Sequence, residues 1–551
     1  MSRFVGLIVF VVVVAQWAPA LRAEWPDDPA VNLVIGDRPD MQAQPKVAAT
    51  PDGGCYIGWI DPASGNYDTY LQRLDAAGNV QWAHNGLLIS GHPQMSMLTD
   101  WCLVADAAGN AVLTFSDLRD GDTQPDIQAY KVGPGGEMLW GPDGVSLSSN
   151  EDGEALPLVV EATDGALVFV WSRERPSLEA WVMMQRLSPG GVPQFAFGGL
   201  PIVRGEEEAP LAVDLAASDD GAVIVAWLSD TTTPCSPRLL RAGKFSSTGG
   251  NLWDDAVEVC DAAPVPMARH PEVHSDGQGG ALLVWDLFMA GCPSLFDSYA
   301  QHLDSTGAEL FPHNGVALSI IPYRYHYYPT LAYNQDTGES FAFWVETDTA
   351  ADKEGIYAQK LSADGVRMWG DAGRIVVPAG PTSKQTPVAM PFGSGVLAFL
   401  IQELADDRGP QELIGLWLNG EGEMMWSPEA VPVSSPCPSK RNLSGAIGPD
   451  GVVKLAWEDG RNGMDIYAQN VNPNGTLGLP GPPSGDFDDD GDVDLADLAG
   501  YAECLAGPGL PPDPAEPITA WACRAAFDFD GDGDVDVCDF GGFQEAFSPE
   551  D

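Results

Sequence analysis

One unit recurs eight times along this chain. A largely apolar strand ends at Trp59, Phe115, Trp171, Trp227, Trp285, Trp344, Leu400 and Trp457, and successive members stand 56 to 59 residues apart. A period this regular constrains the fold more than any local signal, because a short unit cannot bury its apolar face alone and must stack on its neighbours. Ahead of each such strand lies another, often opened by proline (Pro45, Pro157, Pro210, Pro271, Pro329, Pro387). The two are joined by a Gly-rich or Asp-Gly turn such as Asp52-Gly53-Gly54 or Asp450-Gly451. A third strand comes next, seen as DTYLQRL from Asp68, DSYAQHL from Asp297, GIYAQKL from Gly355 and DIYAQNV from Asp465. A turn glycine with an aromatic four residues on then opens a fourth stretch, as in Gly78 and Trp82, Gly136 and Trp140, Gly307 and Phe311, or Gly365 and Trp369.

Four short strands per unit without helical periodicity predict an all-β region, an eight-bladed β-propeller spanning residues 31–478. The units are longer than WD40 or kelch repeats, so no named propeller family is assigned. The eighth copy is cut short, with Leu479 standing four residues after Gly475 where an aromatic is expected. Its missing outer strand is expected at the other end of the chain, where NLVIGDRPDM from Asn32 matches LLISGHPQM from Leu87, the segment that closes the first copy. Residues 31–35 should therefore complete blade eight, and this N-terminal strand exchange removes edges that would invite aggregation. Beyond the ring, residues 479–485 (LPGPPSG) have the composition of a stiff spacer, expected to hold the C-terminal residues away from the propeller.

Residues 486–551 carry a second, shorter repeat: DFDDDGDVDLAD from Asp486 and DFDGDGDVDVCD from Asp528. Carboxylates fall at loop positions 1, 3, 5, 9 and 12 with glycine at 6, the EF-hand spacing. They are Asp486, Asp488, Asp490, Asp494 and Asp497 in the first loop, and Asp528, Asp530, Asp532, Asp536 and Asp539 in the second. The backbone carbonyls of Asp492 and Asp534 are expected to supply position 7. Two calcium ions are the natural guests, since a hard dication takes six to eight oxygens and the carboxylates repel one another without it. Val493 and Val535 are expected to pair the loops through a β-bridge, and helices are expected over 498–505 and 540–547. A solvated acidic tail would not repeat glycine, valine and five aspartates in register.

This stretch resembles a type I dockerin, a paired calcium module that plugs enzymes into cohesin scaffolds; aspartate at position 12 is that family's habit. The resemblance implies a small helical calcium module and a cohesin-like or other surface docking partner. Positions 10 and 11, often Ser-Thr in that family, are Leu495-Ala496 and Val537-Cys538 here, and the spacer 507–520 is long and proline-rich. The ligand set therefore carries over better than the partner.

The formal charge of −52 disfavours nucleic acid and anionic membrane as partners and leaves cations and neutral polymers. Residues 1–23 read as a secretory signal, with Arg3, an apolar run over 4–15 and small residues before Glu24; the run is short for a spanning helix, so membrane insertion is not expected. Nine cysteines in an exported chain permit disulfides. Cys504 and Cys523 flank the spacer and are placed to staple it, Cys235 and Cys292 sit in neighbouring blade loops, and Cys538 is expected to remain a thiol.

Within the ring, three further sets stand out. The glutamines Gln72, Gln185, Gln301, Gln359 and Gln469 are expected to satisfy buried backbone groups between blades. The acidic residues Asp61, Asp117, Asp230, Asp286, Glu346, Glu403 and Glu458 should gather on one rim, either as cation and sugar ligands or as turn-forming charge, with Asp117–Arg119 and Glu458–Arg461 as loop ion pairs. The segment PYRYHYYP from Pro322 offers Tyr323, Tyr325, Tyr327 and Tyr328 as a stacking face for sugars. No nucleophile elbow, P-loop or zinc signature appears. The expected function is that of an exported docking protein whose propeller binds a polysaccharide or surface protein without turnover. The alternative is a carbohydrate-active hydrolase or lyase whose paired carboxylates come from different blades.

Overall fold

The computed structural model describes residues 24–547 except 95, 97–99, 120, 122–123, 176–178, 206–207, 232–237, 267–269, 290–294, 336, 349, 351–352, 406–408, 480–483, 489–492, 516–517 and 532. Among the described residues, thirty-two strands form eight separate four-stranded antiparallel sheets. Blade one comprises Ala43–Ala49, Cys55–Asp61, Asp68–Leu74 and Leu87–Ser90, and blades two to seven repeat its order. The first strand of each blade lies against the first strands of both neighbours, and that of blade eight (Lys440–Ile447) lies against that of blade one, so the ring closes. The molecule is an eight-bladed β-propeller with three short helices after it.

Its core is distributed between the sheets. Ile57 and Trp59 of blade one pack with Ala456 and Ile466 of blade eight, while the opposite face of blade one, through Tyr56 and Leu71, packs with Leu113 and Phe115 of blade two. Period-2 alternation explains this: a strand buried on both faces feeds one inter-blade layer with its odd residues and the next with its even ones.

Blade eight takes its outer strand from the N-terminus, as the sequence implies, over Leu33–Gly36 rather than 31–35. Leu33 pairs with Ala468, Val34 with Tyr467, and a bulge brings Gly36 opposite Ile466. The closure reaches further back than expected, to Trp25. At ordinary junctions the turn aromatic of one blade covers the turn glycine of the next. The Trp82 Nε1–H donates to the Pro134 carbonyl beside Gly136, Trp140 to Pro189 beside Gly191, and Trp426 to Pro473 beside Gly475. Trp25 does the same across the seam: its Nε1–H donates to Ala76 O at 3.1 Å, and its ring lies so close to Gly78 that a Cβ there would stand 2.6 Å from it. The missing aromatic of copy eight is Trp25, not Leu479.

The glutamines correct a second expectation. Gln72 Nε2 donates to Ala83 O, Gln185 to Ala196 O, Gln301 to Pro312 O and Gln359 to Gly370 O, in each case the carbonyl just after the turn aromatic of the same blade. Their work is within blades, with an added bond from Gln359 to Leu318 O of blade five. Gln469 follows the rule by donating to Pro26 O, the residue after Trp25, at 2.6 Å.

A buried polar knot secures the same seam. Asn32 donates to Val433 O and Gln469 Oε1 and accepts from Ser434 Oγ and Arg461 Nη2. Behind it, fully buried Lys440 and Asp459 pair at 2.6 Å. Burial works to raise the Asp459 carboxyl, but Arg461 and Lys440 hold it far below the usual carboxylate range.

The terminal module comprises α1 (Leu495–Cys504), α2 (Ala520–Phe527) and α3 (Phe540–Ala546). The first and last overlap the expected helices; α2 begins at the end of the expected spacer, with Thr519 capping it by accepting from Ala522 N. Cys504 and Cys523 form a disulfide joining α1 to α2, and Cys538 is an exposed thiol; Cys235 and Cys292 lie outside the described residues. The module does not stand clear of the ring. Arg524 of α2 pairs with Asp450 of the blade-eight turn at 3.0 Å, and Trp521 and Ala525 face Val431 and Leu477 across a cavity of about 690 Å³. The C-terminal module thus meets the ring, where an arginine of one surface pairs with a turn carboxylate of the other.

No helix among the described residues is long and apolar enough to cross a membrane.

Candidate metal centre and propeller rim

Each acidic loop is built around its last aspartate. Asp497 Oδ1 accepts from Phe487 N and Asp488 N, and its Oδ2 from Asp494 N at 2.8 Å. Asp539 repeats the pattern with Phe529 N at 2.8 Å, Asp530 N at 3.1 Å and Asp536 N at 2.8 Å. Burial works to raise Asp497, but these three N–H groups hold it below its ordinary value, keeping the carboxylate ionised. Of the roughly four lone-pair sites on a carboxylate, three are spent on the loop, which leaves position 12 to ligate through one oxygen. Asp494 and Asp536 each accept from the N–H two residues on, Ala496 and Cys538; Asp494 thereby caps α1, whereas Asp536 only shapes the turn ahead of α3.

With the loops drawn in, oxygens of Asp486, Asp488 and Asp497 come within 4.8 Å of one another, as do those of Asp528, Asp530 and Asp539. Two such charges at that spacing repel by roughly 3 kcal/mol at an effective dielectric near 20. The donors are all oxygen, the set that suits a hard dication over zinc or copper. Asp490, Asp492 and Asp532 lie outside the described residues. Asp534, expected to ligate through its backbone, turns its side chain inward: Oδ2 accepts from Gly509 N, and its carboxylate joins a third group with Asp536 and Asp539.

No bridge joins Val493 to Val535 among the described residues. Both are buried in the module's core with Tyr501, Phe527 and Phe543, and Val535 O accepts from Ala506 N. Two glycines make the loops sit where they do: a Cβ on Gly500 would stand 2.4 Å from the Phe487 ring, and one on Gly542 2.4 Å from Phe529. Tyr501, whose hydroxyl donates to Asp536 O, has its phenol pushed up to about 12 by burial and by Asp539 and Asp536.

On the propeller, the rim carboxylates stand at equivalent positions at or near the ends of the second strands, where the fold takes them up. Asp117 holds Arg119 through Nε and Nη2, and Asp61 pairs with Arg38 at 3.1 Å. Glu458 pairs with Arg441 rather than Arg461, which binds Asp459 instead. Gln411 Nε2 donates to Glu403; for Asp230 the backbone alone is described. Two of the rim carboxylates cap a bulge in the next blade's first strand: Glu458 accepts from Gln44 N at 2.8 Å and Asp286 from Tyr328 N at 3.0 Å. Gln44, Leu156 and Tyr328 have φ of 51°, 55° and 54°, each immediately before a proline. Such residues ordinarily avoid that region, and the bulges and caps are what hold them there. The sequence showed the prolines without the bulges they mark.

From Arg324 on, the tyrosine segment is strand, not loop; Tyr323 stands in the turn before it. Arg324–Asn334 is the first strand of blade six, eleven residues long, and His326 within it is buried between Asp297 (2.8 Å) and Glu346 (3.4 Å). Burial works to lower the His326 imidazole, while Asp297 and Glu346 raise it above its ordinary value. Tyr323 is 73% exposed and Tyr328 45%; Tyr325 and Tyr327 are half-buried, and the Tyr327 hydroxyl donates to Glu354 at 3.2 Å.

No protein-family model matches the chain, and no curated protein does. Among solved structures, a polysaccharide lyase of the PL25 ulvan lyase family, bound to an oligosaccharide, is 8% identical with a TM-score of 0.45, covering 83% of this chain and 96% of its own. A protein of unknown function from Dyadobacter fermentans is 10% identical with a TM-score of 0.38, covering 80% and 97%. The Penicillium chrysogenum α-L-arabinanase with arabinobiose is 14% identical with a TM-score of 0.34, covering 58% and 94%. At these identities the chain is similar to its neighbours in fold alone.

Proposed function

We propose that this is an exported docking protein: a dockerin-like module that binds two calcium ions, carrying a propeller that binds an uncharged polymer or a surface protein. The observation that carries the reading is the pair of equivalent carboxylate groups, Asp486–Asp488–Asp497 and Asp528–Asp530–Asp539, each drawn together by the same three backbone bonds to its last aspartate. Export through residues 1–23 agrees with the Cys504–Cys523 disulfide, which needs an oxidising compartment. Calcium would be held by these aspartates and would supply the positive charge that lets them converge; the partner is then a cohesin-like surface protein that reads the ordered module.

Calorimetry on the full chain should show about two calcium sites, one remaining in Asp530→Ala and none in the Asp488→Ala/Asp530→Ala pair. Absence of calcium heat in the parent chain, or two sites surviving the double substitution, overturns the reading.

A further inference from the structure

We propose that the blade-six edge built from Tyr323 and Tyr328 is the propeller's ligand site, and that it takes a neutral oligosaccharide chain. The inference deepens the reading of the propeller as a binding module and rests on it.

Three observations converge. The first is the display of the rings: two large aromatics stand exposed within six residues, Tyr328 on the longest first strand in the ring and Tyr323 in the turn just before it, while the tryptophans that end the second strands are buried. The second is the conformation that displays them. Tyr323 has φ of 62° and Tyr328 of 54°, a region unfavourable for a bulky aromatic, and Tyr328 also precedes Pro329. Strain of that kind persists where surrounding structure enforces it, and bulges there re-aim side chains. The enforcement is visible: Asp286 caps Tyr328 N, Ser298 Oγ donates to Asp286 at 2.9 Å, and the Tyr328 ring stands edge-on to Tyr327 at 5.2 Å, itself tied to Glu354. His326 is clamped from both sides between them. The Tyr328 ring is therefore set before any ligand arrives, which lowers the ordering cost of binding.

The third observation is charge. The charged groups bonded to this segment are Asp286, Asp297, Glu346 and Glu354 against its own Arg324, on a chain of net charge −52. A uronate or sulfated polymer would be repelled, whereas sugar hydroxyls can donate to carboxylate oxygens while their apolar ring faces stack on tyrosine. Five residues apart, Tyr323 and Tyr328 stand at most roughly 16 Å from one another, within the reach of a short run of sugar rings.

The test is native affinity electrophoresis of the full chain in gels containing mixed-linkage β-glucan, galactomannan or arabinoxylan, with polygalacturonate as the anionic comparison. The expected result is retardation by at least one neutral polymer and none by polygalacturonate. Tyr323→Ala and Tyr328→Ala should each weaken retardation at least fivefold with an unchanged melting temperature, and Tyr328→Phe should retain it. Should Tyr328→Ala fail to fold, Tyr323→Ala, a change at an exposed side chain, carries the test. Retardation of the parent that both alanine variants keep would overturn the site. Retardation by polygalacturonate alone would overturn the ligand class. Retardation by no polymer would overturn the proposal together with the binding-module reading beneath it.

Discussion

Replacing Trp25 by alanine should unlatch the ring. The side chain is 3% exposed, fills the space over Gly78 and donates its indole N–H to Ala76 O. Truncating a buried tryptophan costs about 3–5 kcal/mol, and the lost hydrogen bond about 1 more. The adjoining residues are held to blade eight by Gln469 on Pro26 O and by the Asn32 knot, so the loss falls at the one junction where the chain is not continuous. If the contact is absent from the unfolding transition state, a loss of about 4 kcal/mol speeds unfolding by roughly a thousandfold. The assay is the unfolding rate in guanidinium followed by far-UV circular dichroism, with Trp25→Phe expected in between because it keeps a ring and loses the N–H. An unfolding rate for Trp25→Ala within threefold of the parent would show that the seam does not depend on this residue.

Four further outcomes are expected from the geometry. Asp459→Asn strands Lys440 and Arg461 without a counter-charge and should cost about 3–5 kcal/mol; because the native carboxyl is depressed, its contribution is present above the ordinary carboxylate value and fades as pH falls, so acid unfolding of the variant should be less steep. His326 has the opposite sign: its raised imidazole stabilises blade six fully below its unfolded value and is lost as pH rises through the folded one, so the melting temperature should decline above about pH 6.5 in the parent and stay flat in His326→Gln. Gly542→Ala drives a methyl into Phe529 and should cost the module about 1–3 kcal/mol, read from its calcium-dependent melting. Arg524→Ala should release the module from the ring, seen as faster proteolytic cleavage within 479–485.

The eight-fold repeat and the strand supplied from Asn32 onward were legible because each copy carries the same spacing, and a truncated last copy asks for its missing piece. Trp25 was not, because Gly78 of blade one and Gln469 of blade eight lie far from it along the chain and nothing beside it in sequence names them. The rim carboxylates were found by position, but their use depended on which blade neighbours which: Glu458 reaches Gln44 only once the ring is closed. In the acidic loops the spacing located the carboxylates, yet the inward turn of Asp534 depends on Gly509, twenty-five residues away in a segment with no pattern of its own.

Arg524 meets Asp450 on the turn between the first and second strands of blade eight, whereas Tyr323 stands where the first strand of blade six begins, at the opposite end of the ring's strands. If a scaffold holds the module as proposed above, it fixes the ring's heading as well as its location, and Tyr323 then lies on the side turned away from the anchor.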